Sequence, residues 1–290
     1  MKLTNRLSLP QPLVNAVERD SYDRGLSDYT VTELIQPARA RALIKRHWEE
    51  ISEDVADRIW ALCGQIGHLI LERSAVEDYV ERRFFATIAG KRISGRCDLI
   101  TTGDRARLVD YKFTSLWSIR EGAKPEWEAQ CNMLVWLAAR NDVIVESAQI
   151  VAILRDWSRP RALREPDYPQ AGVAVIDVPL WGDARTEAYI CDRIRAHEEA
   201  QIWLPECTDE ERWKTPDRWR VIAPGHKRAA RLCDSESEAH AWAQSRGGNF
   251  RIEHVPGEAK RCETYCLAYA FCDQAQKEKS SHERVHAEVS

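Results

Sequence analysis

Residues 91–115 read KRISGRCDLITTGDRARLVDYKFTS and predict two β-strands joined by a tight turn at residues 101–104. A turn centred near the end of that tetrapeptide places Asp98 opposite Asp110 across the ladder, and Lys112 shares their face because side chains alternate along a strand. The opposite face carries apolar and aromatic side chains suited to a core, namely Leu99, Val109, Tyr111 and Phe113. The pattern therefore gathers two carboxylates and one ammonium group at one end of a hairpin.

This combination of charges favours a divalent cation. Two adjacent carboxylates resist ionisation together unless a cation lies between them, and Mg²⁺ or Mn²⁺ is the hard ion that oxygen ligands prefer. A metal held there can activate water and neutralise charge on a phosphodiester, while a lysine stabilises the transition state. The alternative is a surface hairpin with solvated charges, because Asp-x-Lys is a common tripeptide.

The composition of the chain limits its class. The chain has 290 residues, 44% of them hydrophobic, which is enough for one substantial core and a smaller appendage. It contains no apolar run of about 18 residues and its N-terminus lacks the apolar region of a signal peptide, so we expect no membrane span and a cytoplasmic location. In that compartment the nine cysteines would be reduced. The net charge of −4 gives no global sign of nucleic-acid binding, so such binding would depend on local basic patches.

The order of patterns along the chain predicts a mixed α/β core with a small appendage. We expect an extended lead-in over residues 1–25, the core over 26–205, a small ββαβ appendage with a cysteine-rich segment over 206–275, and a disordered polar tail over 276–290. The helices predicted before and after the hairpin are Thr32–His47, Ser52–Glu72 and one that begins at Pro125, and the later strands are Ser147–Arg155 and Val173–Val178.

Two of these helices carry polar residues beside their apolar stripes. Ser52 can cap the second helix, and its stripe consists of Val55, Ile59, Leu62, Ile66 and Leu69. Gly64 and Gly67 interrupt this helix just before His68 and are unfavourable there unless another backbone packs closely. Gln130 lies at the edge of the stripe of the third helix. Both residues also have an ordinary explanation: His68 can be a structural histidine, and Gln130 can be a glutamine at the rim of a buried face.

The residues resemble a known nuclease family in order and spacing. The motifs are Gly67-His68 with Glu72, Gly95-x-x-Asp98, Asp110-Tyr111-Lys112 and Gln130, and they resemble the RecB-like branch of the PD-(D/E)xK nucleases over roughly residues 28–155. The resemblance implies that His68, Asp98, Asp110 and the backbone carbonyl of Tyr111 hold a divalent metal. It also implies that Lys112 is the catalytic lysine and that Gln130 supports the site. One departure is Leu134, where the family often has tyrosine.

The second concentration of chemistry is cysteine-rich. Cys262, Cys266 and Cys272 fall within eleven residues, and in a reduced compartment this spacing favours soft-metal ligation over core packing. A zinc ion or a 4Fe-4S cluster needs a fourth ligand. Cys207 is the preferred residue, with Cys63 as the alternative and His254 better suited to zinc. Cys97, Cys131 and Cys191 fit core packing.

These cysteines resemble those of iron–sulfur-containing nucleases, namely the CRISPR-adaptation and AddB-type exonucleases. The resemblance implies a structural 4Fe-4S cluster that fastens the end of the chain to the core. Two features depart from it, the three-residue gap between Cys262 and Cys266 and the position of Cys207 after the nuclease motifs rather than before them.

The sequence thus predicts an Mg²⁺- or Mn²⁺-dependent deoxyribonuclease. The resemblance implies a phage-type exonuclease that acts on single-stranded DNA or DNA ends during recombination or repair, in a bacterial or phage-infected cell, with a recombination or replication protein as a possible partner. Two alternatives remain, a non-catalytic DNA-binding scaffold that keeps the fold, and a zinc-stapled structural protein. The intact set of Asp98, Asp110 and Lys112 argues against a degenerate scaffold.

Overall fold

The computed structural model describes residues 1–19, 24–75, 79–102 and 105–279. The chain divides into two compact units. Unit 1 comprises Met1–Ala38 and Glu49–Trp203, and unit 2 comprises Arg39–Trp48 and the chain from Leu204 onwards. Within the described residues, no helix is long and apolar enough to cross a membrane.

The strands and helices alternate through unit 1, and unit 2 adds its own sheet. The strands are β1 Lys2–Thr4, β2 Tyr29–Thr30, β3 Ser52–Asp54, β4 Tyr79–Val80, β5 Arg83–Ile88, β6 Lys91–Arg96, β7 Leu99–Thr101, β8 Arg107–Thr114, β9 Ser147–Leu154, β10 Val173–Val178, β11 Arg218–Ile222, β12 Ala229–Cys233 and β13 Arg251–Val255. The α-helices are α1 Gln11–Glu18, α2 Val31–Leu34, α3 Ala38–Arg46, α4 Ile59–Ser74, α5 Pro125–Ala139, α6 Arg159–Ala162, α7 Asp183–Ile202, α8 Glu236–Ser245 and α9 Lys260–Tyr265, with 3-10 helices at Val55–Arg58, Leu116–Ile119 and Tyr269–Phe271.

The largest sheet of unit 1 has the strand order β10-β9-β8-β7-β4. Strands β8 and β9 are parallel, and the other neighbours are antiparallel. A second sheet has the order β2-β6-β5, and β1 pairs with β3. Fully buried residues of β8, β9 and α5 form the main core, including Leu108, Ile150 and Leu137. The predicted mixed α/β class is confirmed.

A bent hairpin links the two larger sheets. Its turn is Ala89–Gly90, where both residues have positive φ (49° and 71°) as a two-residue hairpin turn requires. Arg83 pairs with Arg96 in one sheet, and Val80 pairs with Leu99 in the other. Both pairs follow the same register, so the hairpin continues from one sheet into the other. The expectation of one uninterrupted strand before residue 101 is therefore wrong, because that strand bends at residues 97–98 and changes sheets.

Beyond the bend, β7 and β8 pair in the predicted register. Leu99 lies opposite Val109 and Thr101 opposite Arg107, and the next step of this register brings Asp98 opposite Asp110. The turn residues 103 and 104 lie outside the described residues. The face that carries Asp110 is the more deeply buried one, because its neighbour Leu108 is fully buried and α5 packs over it.

The helix predicted from Ser52 begins seven residues later. Ser52 opens β3 instead, and the Asp54 carboxylate accepts a hydrogen bond from the Ala56 N–H at the start of a 3-10 turn (3.0 Å). The expected apolar stripe is only partly buried, since Ile66 and Leu69 are exposed. The glycine at position 67 of this helix has a direct cause, because a Cβ there would lie 1.9 Å from Cζ of Phe113 on β8.

Two further expectations about the N-terminal region are wrong. The lead-in over residues 1–25 contains β1 and α1, and α1 buries Val14 and Val17 against Val55. The single helix predicted over Thr32–His47 is split into α2 and α3. The break lies just before Pro37, because the residue that precedes a proline is sterically hindered from adopting helical backbone.

Unit 2 contains a sheet of order β12-β11-β13 covered on one face by α8. This is the predicted ββαβ arrangement, and the Ser235 hydroxyl accepts a hydrogen bond from the Glu238 N–H at the start of α8 (3.2 Å). Val221, Cys233 and Ala239 form its core.

The rest of unit 2 packs around α3. Leu43 of α3 contacts a cluster that includes Ala268, Cys272 and Ala275. Residues 39–48 therefore belong to unit 2, not to a continuous core over 26–205. The expected disorder of residues 276–290 is wrong for residues 276–279, which are helical, and residues 280–290 lie outside the described chain.

Candidate active site

The predicted nuclease residues of unit 1 line one cavity of about 420 Å³. The elements that supply them are α4, the bend of the long hairpin, β8 and α5. The lining residues with chemical roles to consider are His68, Glu81, Asp98, Asp110, Lys112 and Gln130. Glu72, also noted in the sequence, lines the same cavity.

Asp110, Lys112 and Gln130 form a closed polar triangle. Lys112 Nζ lies 2.6 Å from Asp110 Oδ2 and donates a hydrogen bond to Gln130 Oε1 (3.0 Å). Gln130 Nε2 donates in turn to Asp110 Oδ1 (3.0 Å). Asp110 is only 2% exposed, and each of its oxygens contacts one of these two neighbours. The buried carboxylate is therefore held in one orientation inside the cavity.

A second group of possible metal ligands lies at the hairpin bend. His68 Nδ1 lies 3.4 Å from Asp98 Oδ1 and 3.6 Å from Glu81 Oε1. The ligand atoms of these three residues all lie within 4.8 Å of one another, a spacing that one cation can span. Glu81 was not among the predicted site residues. The signal that would have found it is the turn at Ala89–Gly90, whose register places Glu81 opposite Asp98.

The backbone of Glu81 is held in an unusual conformation. Its φ of +48° lies in the left-handed region, which non-glycine residues adopt rarely and which concentrates at functional sites. The Glu81 N–H donates to the Asp98 carbonyl (3.1 Å), and Arg96 Nε lies 2.8 Å from Glu81 Oε2. These contacts fix the carboxylate toward His68.

The electrostatics of the cavity oppose the charged form of Asp98. Burial and the neighbouring Asp110 raise the pKa of Asp98 to about 7, although His68 and the Tyr111 N–H, which donates to Asp98 Oδ2 (2.8 Å), act in the opposite direction. The Glu81 carboxylate raises the pKa of His68. For Lys112, burial lowers the pKa but Asp110 more than compensates, so its pKa is raised and it stays protonated.

Close packing behind the site explains two other residues of the motif. A Cβ at Gly95 would lie 2.5 Å from Leu134 and 2.8 Å from Leu137, so α5 can approach the hairpin only at a glycine. Leu134, where the resembling family often has tyrosine, is buried in this contact. The carbonyl of Tyr111 stays a predicted ligand.

This donor set fits a hard divalent cation. It offers three carboxylates and an imidazole, and the charge that destabilises Asp98 would be neutralised by an ion. His68, Glu81 and Asp98 would hold it, together with Asp110, which lines the same cavity. Lys112 is held against Asp110 on the side where Gln130 lies.

Unit 2 brings the four predicted cysteine ligands together. Cys262, Cys266 and Cys272 pack in one cluster, and the Cys207 thiol lies near enough to all three to interact with them electrostatically. Burial raises the pKa of Cys207 to about 12 and that of Cys262 to about 11. The raised pKa values mean that these thiols are protonated without a metal, whereas a cation bound among the four sulfurs would stabilise the thiolates.

The two alternative candidates for the fourth ligand, Cys63 and His254, have other surroundings. Cys63 lies on α4 in unit 1. His254 Nε2 contacts the Asp217 carboxylate (2.8 Å), and its ring packs against Trp219. Cys97 and Cys131 are fully buried, and Cys191 is partly buried.

The chain was compared with known proteins. No protein family and no curated protein matches it. Among solved structures, a protein named SSO0001 is similar with a TM-score of 0.44 and 20% identity, over 63% of this chain and 83% of that chain. A likeness of this size does not assign a family.

Proposed function

We propose that unit 1 is a metal-dependent deoxyribonuclease that hydrolyses phosphodiester bonds. The observation that carries the proposal is Asp110, a buried carboxylate that contacts Lys112 and Gln130 and lines the same cavity as the His68–Glu81–Asp98 group. The resemblance to RecB-like PD-(D/E)xK nucleases supports the same chemistry. A bound Mg²⁺ or Mn²⁺ would supply Lewis acidity and water activation.

The residues of the chain have separate parts in this reaction. Asp98, Asp110, Glu81 and His68 would hold the cation. Lys112 remains protonated beside Asp110, so it can orient the attacking water and stabilise negative charge on the phosphate in the transition state. Gln130 positions Lys112 through its amide oxygen, which also keeps the ammonium group directed into the cavity.

The test is cleavage of end-labelled DNA with Mn²⁺, Mg²⁺ or EDTA. We expect cleavage that requires the metal and falls at least about 100-fold in Lys112→Gln and Asp110→Asn, since the first removes the cation that stabilises the transition state and the second removes a charged metal ligand. The control is Lys91→Gln, which removes an ammonium group from an exposed ion pair with Glu198 in the same unit. Absence of cleavage by folded wild-type protein with either metal would support the scaffold alternative instead.

We further propose that the four cysteines of unit 2 hold a 4Fe-4S cluster with a structural role. The proposal is supported by the gathering of Cys207, Cys262, Cys266 and Cys272 in one part of unit 2 and by the resemblance of their pattern to iron–sulfur-containing nucleases. Anaerobic purification followed by iron, sulfide and zinc analysis tests this. A colourless protein with one zinc per chain would favour the zinc alternative.

A further inference from the structure

Two cation–tryptophan groups lie on the elements that build the active-site cavity. The Arg155 guanidinium lies 4.7 Å from the centre of the Trp60 ring, and Lys124 Nζ lies 5.4 Å from that of Trp117 and 5.3 Å from that of Trp127. Trp60 is 56% exposed and Trp117 is 51% exposed. The feature that distinguishes these exposed rings is the cation beside each of them, because an indole and a neighbouring cation together match a base and its phosphate.

The first group lies on α4 and at the end of β9. Trp60 precedes His68 by two helical turns on the same helix, about 12 Å along its axis. Arg155 follows β9, and its N–H donates to the carbonyl of Thr114 (2.9 Å), two residues beyond Lys112 on β8. Arg155 has no ion-pair partner among the residues that the structure describes, so its charge is available to a ligand.

The second group lies near the start of α5. Trp127 lies one turn before Gln130 on this helix, and Trp117 lies in the 3-10 turn that follows β8. Trp117 is also part of the wall of an open cleft of about 980 Å³ that contains the exposed guanidinium of Arg120. Each tryptophan group thus lies on an element that also supplies a residue of the active-site cavity or follows the strand that carries Lys112.

The carboxylates of that cleft are partly engaged by the protein itself. Asp156 Oδ1 accepts the Leu116 N–H (2.8 Å), and Glu165 pairs with Arg161 (2.8 Å). Arg120 has no ion-pair partner among the residues described. The cleft can therefore present a cation next to the exposed ring of Trp117.

We propose that the Trp60–Arg155 and Trp117–Lys124 groups bind unpaired bases and adjacent phosphates of single-stranded DNA. A base can stack on an exposed indole ring while the neighbouring cation contacts the phosphate, which is how single strands are bound without sequence preference. Bases in a duplex are stacked on each other and cannot reach the rings. This inference rests on the proposed nuclease function and adds the substrate class and its binding residues.

Binding is tested in EDTA with a fluorescein-labelled oligothymidylate of about 15 nucleotides, so that no cleavage occurs. We expect Trp60→Ala and Trp117→Ala each to raise the Kd about 5-fold or more, and Trp117→Phe to stay near wild type because an aromatic ring remains. Arg155→Gln should weaken binding and reduce its dependence on salt. The control is Trp203→Ala, a comparably exposed tryptophan (59%) that has no cation or ring contact among the described residues.

A second readout separates this inference from the proposed function. Hydrolysis of bis(4-nitrophenyl) phosphate with Mn²⁺ needs the cavity but not the tryptophans. An unchanged Kd in both alanine variants, with ester hydrolysis intact, would overturn the binding inference and leave the nuclease. If Trp60→Ala and Trp117→Ala raise the Kd for single strands but the wild-type protein hydrolyses no ester, the binding inference is supported and the nuclease proposal is overturned. If the two alanine substitutions weaken the binding of duplex DNA as much as that of single strands, the binding inference is overturned.

Discussion

Glu81 is the residue that changes the candidate site most. Its carboxylate, together with His68 and Asp98, forms the compact donor group, whereas Asp110 lies against Lys112. We expect Glu81→Gln to weaken Mn²⁺ binding about 10-fold or more, because a neutral amide replaces a charged oxygen ligand. Calorimetric titration measures this. Glu72→Gln is the matched control, since Glu72 lines the same cavity outside the donor group, and equal losses in both variants would contradict the role of Glu81.

Asp98 makes a prediction about stability and pH. Its pKa in the folded protein is about 7, above its ordinary value, so the folded state binds more protons than the unfolded state between about pH 4 and 7. Stability in the absence of metal therefore falls as the pH rises through this range, and the loss is complete above pH 7. We expect Asp98→Asn to be more stable than wild type in EDTA at pH 8, by on the order of 2–4 kcal/mol, and about equal to it near pH 4.

Urea denaturation at several pH values measures this difference. Added Mn²⁺ should stabilise wild type and leave Asp98→Asn unaffected, because binding to the folded state raises the free energy of unfolding. A wild-type stability that rises from pH 4 to 7 relative to the variant would contradict the raised pKa.

At the scale of elements, α4 depends on one glycine but not on its neighbour. A Cβ at Gly67 would collide with Phe113, whereas a Cβ at Gly64 meets nothing within 4 Å. We expect Gly67→Ala to lower the free energy of unfolding by about 1–3 kcal/mol through overpacking. Gly64→Ala should raise it by up to about 1 kcal/mol because alanine is the better helix former. Thermal or urea unfolding checks both, and Phe113→Ala should relieve much of the effect of Gly67→Ala if the collision is its cause.

The elements also show why part of the site was predictable. The register of β7 with β8 was predictable, because a short connection between the two strands and the alternation of side chains place Asp98, Asp110 and Lys112 together. Glu81 was missed because it belongs to the preceding hairpin, whose turn is only Ala89–Gly90. The start of α4 was missed because Ser52 and Asp54 are both capping residues by type. The choice between them depends on the pairing of β3 with β1, a contact about 50 residues away.

At the scale of the whole molecule, the discontinuity of unit 2 could not be read from the sequence. The apolar face of α3 predicts burial but does not say against which segment. In the structure, Arg39 of α3 is 4% exposed, and its Nε donates to Cys272 Sγ (3.3 Å). Its other nitrogens donate to the Leu204 carbonyl (2.9 Å) and to the Asp273 carboxylate. One buried guanidinium therefore joins segments more than 160 residues apart in the chain.

We expect Arg39→Met to lower the free energy of unfolding by about 2 kcal/mol or more, because methionine fills the space but leaves the buried Cys272 thiol and the partly buried Leu204 carbonyl without their donor. Lys45→Met on the same helix is the control, since Lys45 is exposed. Limited proteolysis should cut Arg39→Met faster within residues 204–279 than either wild type or the control. Because Arg39 donates directly to a proposed cluster ligand, the iron or zinc content of Arg39→Met should fall as well. Full metal content and wild-type stability in Arg39→Met would show that unit 2 is held together without this contact.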